Sequence, residues 1–230
     1  PGVALSGAVS VSVGADSACA VMVTQRVECW GSNQYGQLGR SNTDPQTFPN
    51  FVNRIDGRFR KARSVSVGGG FVCARFGDDS AWCWGRNDQG QLGSGNTKMH
   101  TAPSPTFIDS ATRLGRIVSI SAGSAHACAV EQQSAAERFV FCWGDNRSAQ
   151  LGDGTTTSRS WATLVRGFPV DLSPLSVSCG SNQTMVFGRS AAVPAEPVFG
   201  WGRNAGGQLG LGATSPPVLL PTRVTDLNGA

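Results

Sequence analysis

Lysine is nearly missing from this chain. Lys61 and Lys98 are the only two in 230 residues, so the net charge of +4 rests almost entirely on arginine. Charged residues make up only 15% of the sequence, and the basic ones are scattered except for Arg54, Arg58, Arg60, Lys61 and Arg63. A nucleic-acid-binding face needs a denser stripe, so the cluster reads as a solvated connecting loop and no nucleic-acid partner is expected. Histidine is limited to His100 and His126, and no two cysteines have CxxC spacing, so the common zinc donor sets are missing. The fifteen acids are not repeated in phase, which leaves no clustered carboxylates for a polysaccharide-active enzyme. Asp78, Asp79 and Asp153 read as turn acids, without the alternating oxygen spacing of a calcium loop. No catalytic residue, metal or cofactor is expected. No run approaches the ~20 apolar residues of a membrane helix, so this segment is not expected to insert in a membrane. Pro1 is not an initiator Met, so the lack of a signal peptide says nothing about compartment.

What the chain has in abundance is glycine, 30 residues, with 12 prolines. Low charge and many turn formers indicate a strand-rich, turn-rich chain. The stretch CWGSNQYGQLG at 29–39 returns as CWGRNDQGQLG at 83–93, CWGDNRSAQLG at 142–152 and GWGRNAGGQLG at 200–210. Trp30, Trp84, Trp143 and Trp201 are spaced by 54, 59 and 58 residues. A motif repeated once per period is a building block before it is a site.

Each period opens with an alternating segment that ends at glycine: Val9–Gly14, Ser64–Gly68, Val118–Gly123 and Leu175–Gly180. Counting back from the glycine, serine holds the second position (Ser12, Ser66, Ser121, Ser178) and the fourth (Ser10, Ser64, Ser119, Ser176). Period-two alternation predicts strands with one apolar face and one serine face, small enough for a neighbouring sheet to come close. Second strands are predicted at 18–23, 72–76, 127–131 and 184–187, and third strands carry the Trp. FGDDSAW at 76–82 is a hairpin signal. In the corner that follows, Asn and Gln side chains can bond the backbone, and Leu38, Leu92, Leu151 and Leu209 would plug the gap beneath. Ala149 replaces the glycine of the other corners, so no strict positive-φ requirement is expected there. A fourth, edge strand is expected in segments such as PNFVNRI and PTRVTDL.

Four short strands per period of 50-odd residues is the pattern of a β-propeller blade. The G…CAV…CWG.N..GQLG pattern resembles the regulator-of-chromosome-condensation repeat over essentially the whole chain, and the Asn-x-x-Gly-Gln-Leu-Gly corner is its most specific part. The resemblance implies an all-β propeller of four-stranded blades, four present here, in a family that usually forms seven-bladed rings. Repeats are expected at about 9–63, 64–117, 118–174 and 175–230, with 1–8 ending a preceding repeat. The chain starts and stops at the same phase, the expectation for a slice of a longer array that further blades complete. A four-bladed ring and two chains sharing one ring are the alternatives.

Cys19, Cys73 and Cys128 each follow the strand-ending glycine by five residues, and Cys29, Cys83 and Cys142 each precede the Trp. In the fourth repeat these positions are Met185 and Gly200, lost together. Opposed positions on antiparallel neighbours can be bridged, so the pairs Cys19–Cys29, Cys73–Cys83 and Cys128–Cys142 are predicted, each contributing about 2–3 kcal/mol in the chain-entropy model. Buried reduced thiols are the alternative. Cys179 aligns with Val13, Val67 and Ala122 and is expected to be an unpaired, small buried group. Disulfides would place the chain outside the cytosol, secreted, at the cell surface or in a periplasm.

His126 aligns with Ser17, Phe71 and Gln183 and reads as a hydrogen-bonded turn residue; His100 is expected in a loop. Asn146 and Asn182 begin glycosylation sequons. Asn146 is also a corner residue, which leaves Asn182 as the candidate. Trp161 with Phe48, Phe51 and Phe107 could form apolar contact patches, core packing being the default. The reading is a non-enzymatic, extracytoplasmic scaffold that contacts a protein partner through the loops of 40–60, 94–116 and 153–173. A nucleotide-exchange factor for a small GTPase is the alternative that the family resemblance implies, and a polysaccharide-active enzyme is third.

Overall fold

The computed structural model describes residues 4–52, 61–135, 137–190 and 196–225. Sixteen strands form four sheets, each an antiparallel meander in chain order. The first contains β1 (Ala8–Val13), β2 (Ser17–Met22), β3 (Val27–Gly31) and β4 (Gln46–Phe51). The second contains β5 (Ala62–Val67), β6 (Phe71–Phe76), β7 (Ala81–Gly85) and β8 (His100–Pro105). The third contains β9 (Ile117–Ala122), β10 (His126–Gln132), β11 (Arg138–Gly144) and β12 (Arg159–Leu164). The fourth contains β13 (Ser173–Cys179), β14 (Gln183–Arg189), β15 (Val198–Asn204) and β16 (Ser215–Arg223).

The outermost strand of each blade begins earlier than the sequence pattern suggests. β4 covers QTFPNF and β8 covers HTAPSP, prolines included. An edge strand has a free side where a missing N–H costs nothing, so proline is tolerated there. His100 therefore opens a strand, half-buried, and His126 lies fully buried in β10, neither in a loop nor in a turn. In the β6–β7 hairpin the positive φ falls on Asp79, at 58°, and not on Gly77. Of the basic cluster, Lys61 and Arg63 are described; Arg54, Arg58 and Arg60 lie outside the described residues.

The three apolar cores lie between blades. Cys19, Cys29 and Leu38 of the first pack against Val65, Val67 and Trp84 of the second. Cys73, Cys83 and Leu92 meet Ile117, Ala127 and Trp143, and Cys128, Cys142 and Leu151 meet Val177, Val186 and Trp201. The serine faces bring the inner strands together by more than small size. Ser12 Oγ accepts from the Val67 N–H at 3.0 Å, Ser66 Oγ from Ala122 at 2.9 Å, and Ser121 Oγ from Cys179 at 2.9 Å. Each blade thus satisfies edge amides of the next, groups that sheet pairing leaves open. A Cβ on Gly14, Gly68 or Gly123 would overlap the carbonyl oxygen of the corresponding glycine one blade on, so the inner strands can stack only without a side chain there.

Candidate interaction surface

All four corners use one bonding scheme. The Oδ1 atoms of Asn33, Asn87, Asn146 and Asn204 accept from the backbone N–H of Leu38, Leu92, Leu151 and Leu209 at 2.8–3.1 Å. The Nδ2 group of each asparagine donates to carbonyls of the loop beyond, such as Asp44, Lys98, Thr157 and Ala213. The Gln37, Gln91, Gln150 and Gln208 Oε1 atoms accept from the amide two residues back, at 2.8–2.9 Å. Ala149 is held at φ 61°, in the left-handed region its glycine counterparts adopt. That corrects the expectation that alanine relaxes the requirement: the Asn146 and Gln150 bonds impose the turn and the methyl group endures it.

The corner also explains the Trp. Trp84 Nε1 donates to the Gln37 carbonyl at 2.8 Å, Trp143 to Gln91 at 2.8 Å and Trp201 to Gln150 at 2.9 Å. Each Trp latches its blade to the corner of the blade before. All three are fully buried, as are the four leucines. Trp30, in the first blade, is half-buried and has no acceptor among the described residues.

With the repeated residues turned inward, most of the positions between them are exposed or half-buried at one end of the blades, Asp145 being buried. Arg86 pairs with Asp88 at 2.7 Å and lies over the Tyr35 ring at 5.4 Å, bridging two blades. Arg147 pairs with Asp145 at 2.8 Å, and Arg203 is exposed on the fourth blade. Burial resists ionisation of Asp145, yet the hydrogen bonds from Arg147 and Gln150 overcome it and hold the carboxyl below its ordinary range. Asp88 is likewise held low against burial by Arg86, Gln91 and Gln89. The Asp88 and Asp145 carboxylates are thus held ionised by short bonds to the arginines beside them. The sequence reading missed these charged residues because they are the variable letters of the motif; the outward direction of the arginines was implied once the Asn, Gln and Leu beside them were read as inward. The glycine ends of the inner strands, Gly14, Gly68, Gly123 and Gly180, line a shallow hollow with Ser124 and Cys179.

The three predicted cysteine pairs are joined, directly opposite one another across β2–β3, β6–β7 and β10–β11 at Cα separations of 4.1 Å. In the fourth blade Met185 faces Gly200, and a Cβ on Gly200 would lie 2.7 Å from the methionine sulfur. The thioether fills the place of the disulfide. Cys179 is a free thiol, but the residue is half-buried at the edge of that hollow and not enclosed as expected; desolvation of the sulfur pushes the thiol up to about 12. His126 Nε2 meets Thr184 Oγ1 at 2.9 Å, and that hydroxyl donates to the Gln150 carbonyl at 2.8 Å. Burial lowers His126 to about 4, so the ring is neutral and joins blades three and four. His126, Cys128 and Cys179 offer ligand atoms within 4.8 Å of one another. Cys128 is held in its disulfide, and Thr184 already occupies His126 Nε2. Asn182 is partly exposed, while the Thr184 of its sequon is fully buried.

The aromatic residues divide between the two readings. Trp82 is buried, and Phe107 meets Trp161 edge-on at 6.2 Å; Phe48 and Phe51 are exposed, the latter beneath Arg26 at 5.3 Å.

The chain is 30% identical over 216 residues to the human E3 ubiquitin-protein ligase HERC2, covering 94% of this chain and 4% of HERC2. It is 30% identical over 220 residues to the Arabidopsis thaliana ultraviolet-B receptor UVR8, covering 95% and 46%. It therefore spans less than half the length of either relative. Human WBSCR16 superposes with a TM-score of 0.81 at 20% identity, over 97% of this chain and 54% of that one. Yeast RCC1 (Prp20), crystallised with Kap60, superposes at 0.77 with 16% identity, over 96% and 50%. These likenesses show a shared β-propeller fold. The regulator of chromosome condensation (RCC1) repeat matches residues 26–75, 78–130, 139–187 and 197–230, and with those matches the chain belongs to the RCC1 repeat family.

Proposed function

We propose that this chain is a non-enzymatic protein-binding module that works outside the cytosol, with its corner-bearing end as the contact surface. The observation that carries the reading is the division of labour within the corner. Asn, Gln, Leu and Trp are turned into the blade interfaces, while Tyr35, Arg86, Asp88, Arg147 and Arg203 face outward on a rigid frame. Mixed charge of this kind fits a partner surface carrying both signs, where electrostatics sets register and on-rate more than affinity. The three disulfides support an oxidising compartment, and favour a scaffold over a cytosolic exchange factor.

The test uses the chain as bait in the secreted and envelope fractions of its source organism. A partner retained by the native chain and lost by an R86E/R147E variant of unchanged melting temperature supports the proposal. A partner held equally by both assigns binding to another surface. Accelerated nucleotide release from a small GTPase would replace the scaffold reading with the exchange-factor one.

A further inference from the structure

The connections that lead from one blade to the next are built differently. Between the second and third blades, residues 106–116 fold back on themselves. The Ile108 N–H donates to the Thr112 carbonyl and the Leu114 N–H to that of Thr106, while Asp109 Oδ1 accepts from the amides of Ala111 and Thr112. Leu114 is thereby seated fully in the core. Between the third and fourth blades, the Leu172 N–H to Pro169 carbonyl bond closes only the last turn of residues 165–172. The N–H groups of Gly167, Phe168 and Val170 donate to no group among the described residues.

This open connection borders a groove of about 430 Å3. β12 pairs Arg159 with Gly144 and Leu164 with Phe141, so the chain beyond Leu164 runs toward Arg138, at the end of the blade away from the corner. Phe139, Leu164, Phe168 and Pro174 give the groove its apolar lining, and Val170 stands fully exposed on its lip. Phe168 is fixed edge-on against Phe199 at 5.5 Å and Trp201 at 5.8 Å. Two cations share the groove, Arg138 and Arg166, and neither pairs with a carboxylate among the described residues. The Arg138 guanidinium donates only at 3.3 Å to Gln132 Oε1 and at 3.4 Å to the Pro174 carbonyl. Its Nε is buried and has no acceptor, an unmet donor that calls for a partner. Glu137, the acid on the groove, accepts from Ser134 Oγ of its own hairpin.

We infer that this groove docks an extended acidic peptide of a partner protein. One apolar side chain seats among Phe139, Leu164 and Phe168, and a neighbouring carboxylate is held by Arg138 and Arg166. Charge complementarity selects the occupant: two arginines without an acid beside an apolar lining suit a carboxylate next to a hydrophobic group, and the planar guanidinium binds carboxylates strongly. The net charge of +4 draws the same class of partner. The free amides of Gly167, Phe168 and Val170 belong to the segment that forms the wall, where an extended chain can offer its carbonyls in turn. The groove lies at the opposite end from Arg86 and Arg147, so the inference stands apart from binding at the corners.

Panning a displayed random heptapeptide library on the full chain, then measuring the enriched peptides by fluorescence anisotropy, tests this. Enriched sequences are expected to place an apolar residue beside Asp or Glu and to bind more weakly as salt is raised. R166E and V170D change exposed side chains, so each is expected to keep the native melting temperature and to weaken binding by about tenfold or more. R86E/R147E, at the corner end, is expected to leave the affinity unchanged. A library that enriches nothing, or only sequences without acids, overturns the inference. So does binding that is indifferent to R166E and V170D, or that is lost in R86E/R147E alone. Octanoate that competes with the peptides and binds as tightly would assign the groove to a small carboxylate and overturn the peptide occupant.

Discussion

Replacing Trp143 by Phe removes an inter-blade latch without altering any strand. The indole is fully buried between the second and third blades, and its Nε1 donates to the Gln91 carbonyl at 2.8 Å. Phenylalanine leaves that carbonyl buried and without this donor, a cost of about 1–3 kcal/mol. The smaller ring also opens a cavity against Leu92, Ala127 and Phe141, for about 1–2 kcal/mol more. The sum, about 2–5 kcal/mol, lowers the melting temperature by roughly 5–15 °C for a chain of this size. Trp30→Phe is the matched control, because Trp30 is half-buried and has no acceptor among the described residues; about 1 kcal/mol or less is expected. Thermal and urea unfolding followed by far-ultraviolet circular dichroism compares the two. Equal losses in the isolated chain would refute the latch, since residue type alone would then set the cost.

The further predictions rest on single groups and on the disulfides. Ala149→Gly relieves a left-handed alanine and is expected to stabilise by about 0.5–1 kcal/mol, read as a higher urea midpoint. Gly90→Ala, whose new Cβ would lie 2.7 Å from Ser160 Cα, is expected to destabilise. Burial lowers His126 from 6.5 to about 4, so its neutral form contributes roughly 3 kcal/mol above pH 6.5. That contribution falls away as the pH drops from 6.5 to about 4, and His126→Gln is expected to flatten the stability profile over that window. Cys179 is expected to resist iodoacetamide in the native state at neutral pH, because its thiol is pushed up to about 12. Full alkylation of the folded protein would show that the thiol is reachable. Reduction adds about six mass units for three disulfides, and each loop opened is expected to cost about 3 kcal/mol.

Period and alternation in the sequence determined a great deal. Spacing of the four tryptophans set the number of blades. The fourth repeat has Met185 and Gly200 at the two places where the others carry cysteine, and that joint loss paired the remaining cysteines. These are local facts: register within a hairpin follows from turn length and alternation. Direction was beyond reach, because the bonds that carry it span 51–58 residues, from Trp143 to Gln91, Trp201 to Gln150, and Cys179 to Ser121. Only packing one blade on the next decides which face donates and which accepts. Ala149 shows the same limit at the scale of one residue. Its sequence suggested a relaxed corner, but two side-chain bonds from Asn146 and Gln150 hold the backbone in the left-handed region. The exposed charge of Arg86, Asp88 and Arg147 became visible as a surface only when the tertiary structure buried the letters between them. Sequence wrote the blade, because a blade is made of near neighbours; the propeller face depends on contacts a full repeat apart.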